Sequence, residues 1–158
     1  MAQSFATDRI AFIQACWHKD ITDQSRDSFL KEMKAAGFPE SNIDFIEVPG
    51  GLEIPLQAQL MAKTGKYSAI VATALIVNGG IYRHEFVTTA VIDGIMRVML
   101  DTEVPVISAI LTPINFHEHD EHKTYFFNHF KIKGKEAAEA CLKTIDNLKA
   151  VTPQKKAA

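Results

Sequence analysis

An apolar run of ten residues, 68–77 (SAIVATALIV), constrains the fold of this chain more than any other part of its sequence. The run contains no charged residue, and polar and apolar positions do not alternate along it. Such a run is typical of a β-strand whose two faces are both covered, as in the middle of a parallel sheet. Three further runs predict strands, at residues 9–16, 43–48 and 104–111.

Amphipathic stretches between these runs predict helices. Phe29, Leu30 and Met33 recur at helical spacing, and the following Gly37 suits a helix C-terminus. Strand and helix therefore alternate, which predicts a parallel sheet wrapped by helices through right-handed crossovers. The predicted helices cover residues 20–36, 52–63, 85–101, 115–130 and 134–149.

The length and composition of the chain exclude several classes of protein. A length of 158 residues fits one domain, residues 1–158, with flexible ends at about 1–8 and 152–158. The net charge of −2 gives no electrostatic basis for binding nucleic acid or an anionic membrane. No apolar segment approaches the roughly 20 residues that cross a bilayer, and the N-terminus lacks the pattern of a secretory signal. We therefore expect a cytoplasmic protein with neither nucleic-acid nor membrane partners.

The two cysteines, Cys16 and Cys141, each lie in an apolar stretch. This placement favours buried, reduced thiols over a disulfide or a nucleophile.

The unusual local sequences fall at the carboxyl ends of the predicted strands, which is the edge where parallel sheets bind ligands. Trp17 directly follows the first strand. An aromatic ring in this position can stack on a flat heterocycle. The alternative, a tryptophan of the core or of an interface, is about equally well supported by the sequence.

Two glycine-bearing segments follow the second and third strands. Residues 48–55 (VPGGLEIP) place Glu53 at a helix start, where it can accept hydrogen bonds from hydroxyls, although a glutamate that only complements the helix dipole remains an alternative. Residues 78–84 (NGGIYRH) combine free N–H groups with Arg83 and suit an oxyanion or phosphate, or else form a plain turn. Neither segment has the glycine pattern of a nucleotide phosphate loop or of a dinucleotide fingerprint.

The densest polar cluster is residues 117–123 (HEHDEHK). A zinc-binding HExxH pattern would need a histidine at position 121, where the chain has Glu121. A solvated helix face is therefore favoured over a metal site. We expect that no residue of the chain binds a metal ion. Contact of these side chains with an anionic substrate is a third interpretation.

Four ordered segments resemble the lumazine synthase family over nearly the whole chain. Residues 48–55 are close to the family's VPGAFEIP, and residues 72–87 align without gaps to ALGCVIRGETxHFDYV. Residues 104–107 (VPVI) with Leu111 and Thr112 match the family's fourth strand, and residues 133–138 (KGKEAA) resemble KGxEAA. The resemblance implies an α/β fold, a flavodoxin-like three-layer αβα sandwich with a four-stranded parallel sheet.

The resemblance also implies an activity in riboflavin biosynthesis without a cofactor. Members of the family condense 5-amino-6-(D-ribitylamino)uracil with 3,4-dihydroxy-2-butanone 4-phosphate, giving 6,7-dimethyl-8-ribityllumazine, phosphate and water. The family's sites lie between neighbouring subunits of a homopentamer, so residues of the fourth strand and of the late helices would come from the next chain.

Individual roles follow from the aligned positions. Trp17 would stack on the pyrimidine ring, Glu53 would accept hydrogen bonds from the ribityl chain, and Ser108 would reach the site from the neighbouring subunit. The remaining matched positions are Gly51 and Leu52 for the ribityl chain, Ile76 and Val77 for the uracil edge, Gly80 and Ile81 for the ketose phosphate, and Lys133 near the ring.

Two positions depart from the family pattern. The family's proton-transferring histidine aligns with Arg83, and arginine stays protonated near neutral pH, so it cannot act as a general base. The adjacent His84 can exchange a proton in that range and is the substitute that we expect. The family's phosphate-binding arginine aligns with His122 or, with the gap placed earlier, with Tyr125.

These departures, together with Trp17, resemble the divergent second class of lumazine synthases, in which pentamers pair into decamers. Two other functions stay open. One is a catalytically weak relative that binds flavin or lumazine, and the other is a flavodoxin-like signalling domain. The second is disfavoured because Trp17 and Val77-Asn78 occupy the positions where such domains need acidic residues.

Overall fold

The computed structural model describes residues 5–152. It confirms the three-layer αβα architecture around one four-stranded parallel sheet, with the strand order β2-β1-β3-β4. The strands are β1 (Ile10–Ala15), β2 (Ile43–Val48), β3 (Ala69–Leu75) and β4 (Val106–Leu111). The helices are α1 (Lys19–Ala35), α2 (Ile54–Lys63), α3 (His84–Thr102) and α4 (Asp120–Val151), with short 3-10 turns at Glu40–Asn42 and Gly51–Glu53.

The two central strands, β1 and β3, are buried along their whole lengths. Ile10 and Phe12 of β1 pack with α1 and α4 on one face, whereas Ala11 and Ile13 pack with α2 and α3 on the other. Because both faces are covered, both sets of alternating side chains must be apolar. This burial explains why the sequence of β3 shows no alternation.

The prediction of two helices at residues 115–130 and 134–149 is wrong, since a single helix, α4, runs through Asp120–Val151. Gly134, at the start of the second of these predicted helices, lies buried inside α4. A Cβ atom at this position would overlap the backbone oxygen of Ser25 in α1. The glycine therefore allows two helices to pack closely, which compensates for its weaker helix propensity of about 0.5–1 kcal/mol relative to alanine.

The expected flexible ends fall partly outside the described residues, because residues 1–4 and 153–158 are not described. Within the described part, Phe5 and Asp8 are buried. The Asp8 carboxylate accepts hydrogen bonds from Lys149 Nζ of α4 and from Ser68 Oγ. These contacts fasten residues 5–8 to the end of α4 and to the start of β3.

Both cysteines are free, as predicted, although only Cys141 is fully buried and Cys16 is half-buried. Burial raises the pKa of the Cys141 thiol to about 12. Burial, with a contribution from the Glu47 carboxylate, also raises the pKa of Cys16. Neither thiol is therefore an activated nucleophile near neutral pH. Among the described helices, none is long and apolar enough to cross a membrane.

Candidate active site

The strand order places the carboxyl ends of β1 and β3 side by side, with β2 and β4 flanking them. The chain leaves β1 toward β2 and later returns to the other side of β1 as β3, so the connections reverse direction at this point. Ligands of open α/β sheets bind outside the strands at such a reversal. The four segments that follow the strands here are residues 16–18, 49–53, 76–83 and 112–119.

Trp17 lies on the surface of the chain, with 65% of its side chain exposed, so it is not a core tryptophan. Its indole Nε1 would lie 3.5 Å from a Cβ atom placed on Gly50, and the ring therefore borders the turn after β2. Gly50 N–H donates to Glu53 Oε2 at 2.8 Å. A ring face and a carboxylate thus share one small region at the edge of the sheet.

The first glycine loop, residues 49–53, is packed against the end of β3. A Cβ atom on Gly51 would lie only 3.1 Å from Ile76 Cδ1. A larger residue here would force Ile76 to shift, so Gly51 fits closely against its neighbour independently of any ligand. Leu52 and Glu53 remain exposed. Because a carboxylate offers two acceptor oxygens, Glu53 can accept from a ligand hydroxyl while it holds Gly50.

The second glycine loop, residues 78–83, is open. Cβ atoms on Gly79 or Gly80 would meet nothing within 4 Å. Ile81 is 90% exposed and Tyr82 is 68% exposed. Arg83 is also exposed, and its guanidinium lies 5.2 Å from the ring centroid of Phe86. The loop leads into the N-terminus of α3, so its N–H groups and the Arg83 cation can both face an anion.

His84 begins α3, and its imidazole is 13% exposed. It borders a depression of about 310 Å³ that is also lined by Thr88, Thr112 and Pro113. Thr88 Oγ1 is buried and has no hydrogen-bond partner among the described residues. An unpaired buried hydroxyl is costly unless a further group bonds to it. The imidazole can therefore act as a proton carrier at this depression.

Phe116 joins three of the four segments at this edge. Its N–H donates to Asn78 Oδ1 at 2.7 Å, and its buried ring meets the edge of the His18 ring at a centroid distance of 5.3 Å. His18 has left-handed backbone angles, φ 54° and ψ 47°. That conformation costs a residue other than glycine about 1–2 kcal/mol. Sequence reasoning missed these three residues, although a lone phenylalanine in the polar segment 115–123 was an available signal.

The histidine cluster only partly belongs to a helix, because α4 begins at Asp120 and the segment 117–119 precedes it. The favoured interpretation as a solvated helix face is therefore wrong for His117 and His119. His117 N–H donates to His122 Nδ1 at 3.1 Å. Within residues 5–152, no group of three or more histidine, cysteine or acidic side chains is placed to hold a metal ion.

Of the two candidates for the arginine position, His122 lies nearer the edge of the sheet. Its ring is 6.2 Å from that of Phe116. Tyr125 instead stacks on His129, one turn further along α4, at 5.5 Å. Val77 packs beside Phe116 and Ile21, so its backbone is held at the same edge.

Two predicted site residues are not brought to this edge within one chain. Ser108 is exposed in the middle of the edge strand β4, opposite Ala72. Lys133 pairs with Glu136 at 2.5 Å and lies 13 residues after the start of α4, about 20 Å along the helix. Within one subunit, the other predicted residues lie at or next to this edge of the sheet.

Comparisons with known proteins show the family to which the chain belongs. Residues 7–149 match the family model for 6,7-dimethyl-8-ribityllumazine synthase. The 6,7-dimethyl-8-ribityllumazine synthase of Rhodococcus erythropolis is 59% identical over 143 residues, covering 90% of this chain and 92% of that protein. A protein named 6,7-dimethyl-8-ribityllumazine synthase 2 from Pseudomonas syringae pv. tomato is 53% identical, covering 99% of this chain and 94% of that protein. A protein named 6,7-dimethyl-8-ribityllumazine synthase 1 from Caulobacter vibrioides is 32% identical, with coverages of 90% and 92%.

Proposed function

The chain belongs to the 6,7-dimethyl-8-ribityllumazine synthase family, and we propose that it catalyses that reaction in riboflavin biosynthesis. It joins 5-amino-6-(D-ribitylamino)uracil to 3,4-dihydroxy-2-butanone 4-phosphate and releases phosphate and water. The observation that carries the proposal is the family match over residues 7–149, within which an exposed Trp17 borders the Gly50–Glu53 turn. Family membership also removes the signalling-domain interpretation.

The proposed reaction depends mainly on the alignment of two substrates. An amine condenses with a ketone, phosphate leaves by elimination, and a second amine closes the ring. Holding two reactants in reactive geometry can supply about 7–11 kcal/mol of barrier lowering. His84, in the depression beside Thr88, moves protons, and Arg83 contributes a fixed positive charge to the phosphate or the carbonyl.

The two glycine loops receive different substrates. Trp17 stacks on the pyrimidine ring, Gly51, Leu52 and Glu53 hold the ribityl chain, and the backbone of Ile76 and Val77 meets the uracil edge. Gly80 and Ile81, in the open loop, hold the ketose phosphate together with His122. The packed first loop supports a preformed ring site, whereas the open second loop leaves room for the phosphate.

A neighbouring subunit completes the site. Ser108 and Lys133 lie away from the other residues within one chain and reach the site from the next one. The α2–α3 face carries exposed apolar side chains that a neighbour would cover. These are Leu56, Leu60, Met96 and Leu100. The assembly is a homopentamer, and identities of 53% to a synthase 2 and 32% to a synthase 1 favour the second class, whose pentamers pair into decamers. The location is the cytoplasm.

A second candidate function is the binding of flavin or lumazine, through the same Trp17, by a catalytically weak member of the family. Arginine at position 83, in place of the family's histidine, is the observation that favours it. Purified protein is mixed with both substrates, and lumazine absorbance is followed against an enzyme-free control. Formation above the spontaneous rate supports the synthase. No acceleration, combined with tight riboflavin binding, would transfer the assignment to the binding protein.

A further inference from the structure

We propose that Phe116 is a positioning residue that keeps His18 in its left-handed backbone conformation and thereby sets the orientation of Trp17. The inference deepens the proposed function and rests on it, because Trp17 is the residue that receives the ring. It assigns a role to three residues outside the predicted site, namely His18, Asn78 and Phe116.

The first step concerns the backbone at His18. A left-handed residue other than glycine persists only where its surroundings determine it, and such residues cluster at functional sites. His18 is one of two such residues in the described chain, and it directly follows Trp17. Its carbonyl accepts from the N–H groups of Ile21 and Thr22, which starts α1. The backbone angles of His18 therefore set the orientation of Trp17 relative to α1.

The second step concerns what holds His18. No side-chain hydrogen bond caps α1 at this residue, so the imidazole is available for other contacts. The ring meets Phe116 edge-on, with 5.3 Å between centroids and 63° between ring planes. That geometry is favourable for aromatic pairs. Phe116 is therefore the contact that offsets the unfavourable backbone.

The third step concerns what holds Phe116. Its ring is buried with Phe126, at 5.5 Å, and its N–H is fixed by Asn78 Oδ1 at 2.7 Å. Asn78 opens the second glycine loop, so the segments after β3 and β4 are joined at this point. The position of Trp17 consequently depends on the contact between these two segments.

The chain contains a single tryptophan, so its fluorescence reports on Trp17 alone. Binding of 6,7-dimethyl-8-ribityllumazine is measured by quenching of this fluorescence, and the accessibility of unliganded Trp17 is measured by acrylamide quenching. The variants are Phe116→Leu, alone and in a His18→Asn background. Asparagine adopts the left-handed conformation more readily than most residues, so it should not need the support of Phe116.

We expect Phe116→Leu to weaken lumazine binding about tenfold, which corresponds to ~1.4 kcal/mol. It should raise the KM for the ribitylaminouracil similarly while changing the KM for the ketose phosphate less than twofold. In the His18→Asn background, Phe116→Leu should weaken lumazine binding by less than about twofold. Asn78→Ala, which removes the acceptor and leaves the core intact, should weaken binding in the same direction, by about threefold.

Phe38→Leu is the matched control, because Phe38 is an equally buried phenylalanine at the opposite end of α1. It should lower stability without altering lumazine affinity. Unchanged affinity in Phe116→Leu, or an equal loss in the His18→Asn background, would overturn the inference. If the wild type neither forms nor binds lumazine, the proposed function fails instead. Acrylamide quenching then decides the inference, since Trp17 should become more accessible in Phe116→Leu and an unchanged value refutes it.

Discussion

The two glycine loops stand at the same edge of the sheet and both lead into helices of the same face, yet they are built differently. In the first, Gly51 is pressed against Ile76, and Gly50 is tied to the Glu53 carboxylate. In the second, Gly79 and Gly80 face open space, and Ile81 is almost fully exposed. Two loops that share a glycine pair therefore differ in how closely they pack against the rest of the protein. The first loop is closely packed within the protein. The second leaves open space that a ligand or a neighbouring subunit can fill.

The largest expected effect separates the ring of Trp17, which borders the first loop, from the ring of Tyr82 in the second loop. Trp17→Ala should weaken lumazine binding by up to about 100-fold, because stacking of a base on an aromatic ring contributes about 1–3 kcal/mol. Tyr82→Ala, which removes an equally exposed ring from the second loop, should change the affinity less than about twofold. Calorimetric titration with lumazine measures both. Equal losses in the two variants would erase the proposed division between a ring site and a phosphate site.

A second experiment compares the glycines by stability. Gly51→Ala should lower the free energy of unfolding by about 1–2 kcal/mol, because overpacked side chains force neighbours to shift. Gly80→Ala should leave the same quantity within about 0.5 kcal/mol, because its Cβ would meet no atom. Urea unfolding of the two variants measures both free energies. A stable Gly51→Ala protein would mean that Ile76 can move aside and that the first loop is not closely packed.

Gly80→Ala then sharpens the comparison by function. We expect the KM for the ketose phosphate to rise about fivefold, since a methyl group would occupy space that the phosphate needs, at a cost of about 1 kcal/mol. The KM for the ribitylaminouracil should not change. Steady-state kinetics with each substrate varied in turn distinguish the two constants. A rise in the uracil constant alone would place the ring, and not the phosphate, at the second loop.

The smallest expected effect concerns proton transfer at the second loop. Arg83→His should raise kcat about threefold if proton transfer limits the rate, because histidine can give and take a proton near neutral pH. Arg83→Gln serves as the control, since it removes the charge without supplying a proton carrier, and it should not raise kcat. An unchanged or lower kcat in Arg83→His would indicate that His84 already suffices or that another step limits the rate.

The fold was largely predictable because burial leaves a direct mark on the sequence. A central strand such as Ala69–Leu75 must be apolar on both faces, so the uninterrupted run located it to within two residues. The packing role of Gly134 was not predictable, because the residue that it accommodates, Ser25, lies in another helix and no local pattern records that contact.

The placement of Trp17 and Glu53 at one edge of the sheet was predictable, because each lies in a short segment directly after a strand. The bond between Asn78 and Phe116 joins residues 38 positions apart, and histidine is only enriched at positive φ, so residue type does not locate the left-handed conformation of His18. The roles of all the predicted site residues stay predictions. Those of Ser108 and Lys133 also require another subunit, to which their proposed partners belong. Spacing along one chain cannot report such contacts.

The length of α4 has a consequence for local opening of the chain. Its 32 residues extend about 48 Å, whereas a six-residue strand beneath it covers about 20 Å. The buried residues of α4 fall between Phe130 and Ile145, so the first turns extend beyond the sheet. Amide hydrogens near Ala137 should therefore exchange with solvent only on global unfolding, while those of residues 124–128 should exchange through local fraying. Protection that spreads into these first turns on assembly would identify them as a part of the helix that gains order from its neighbours.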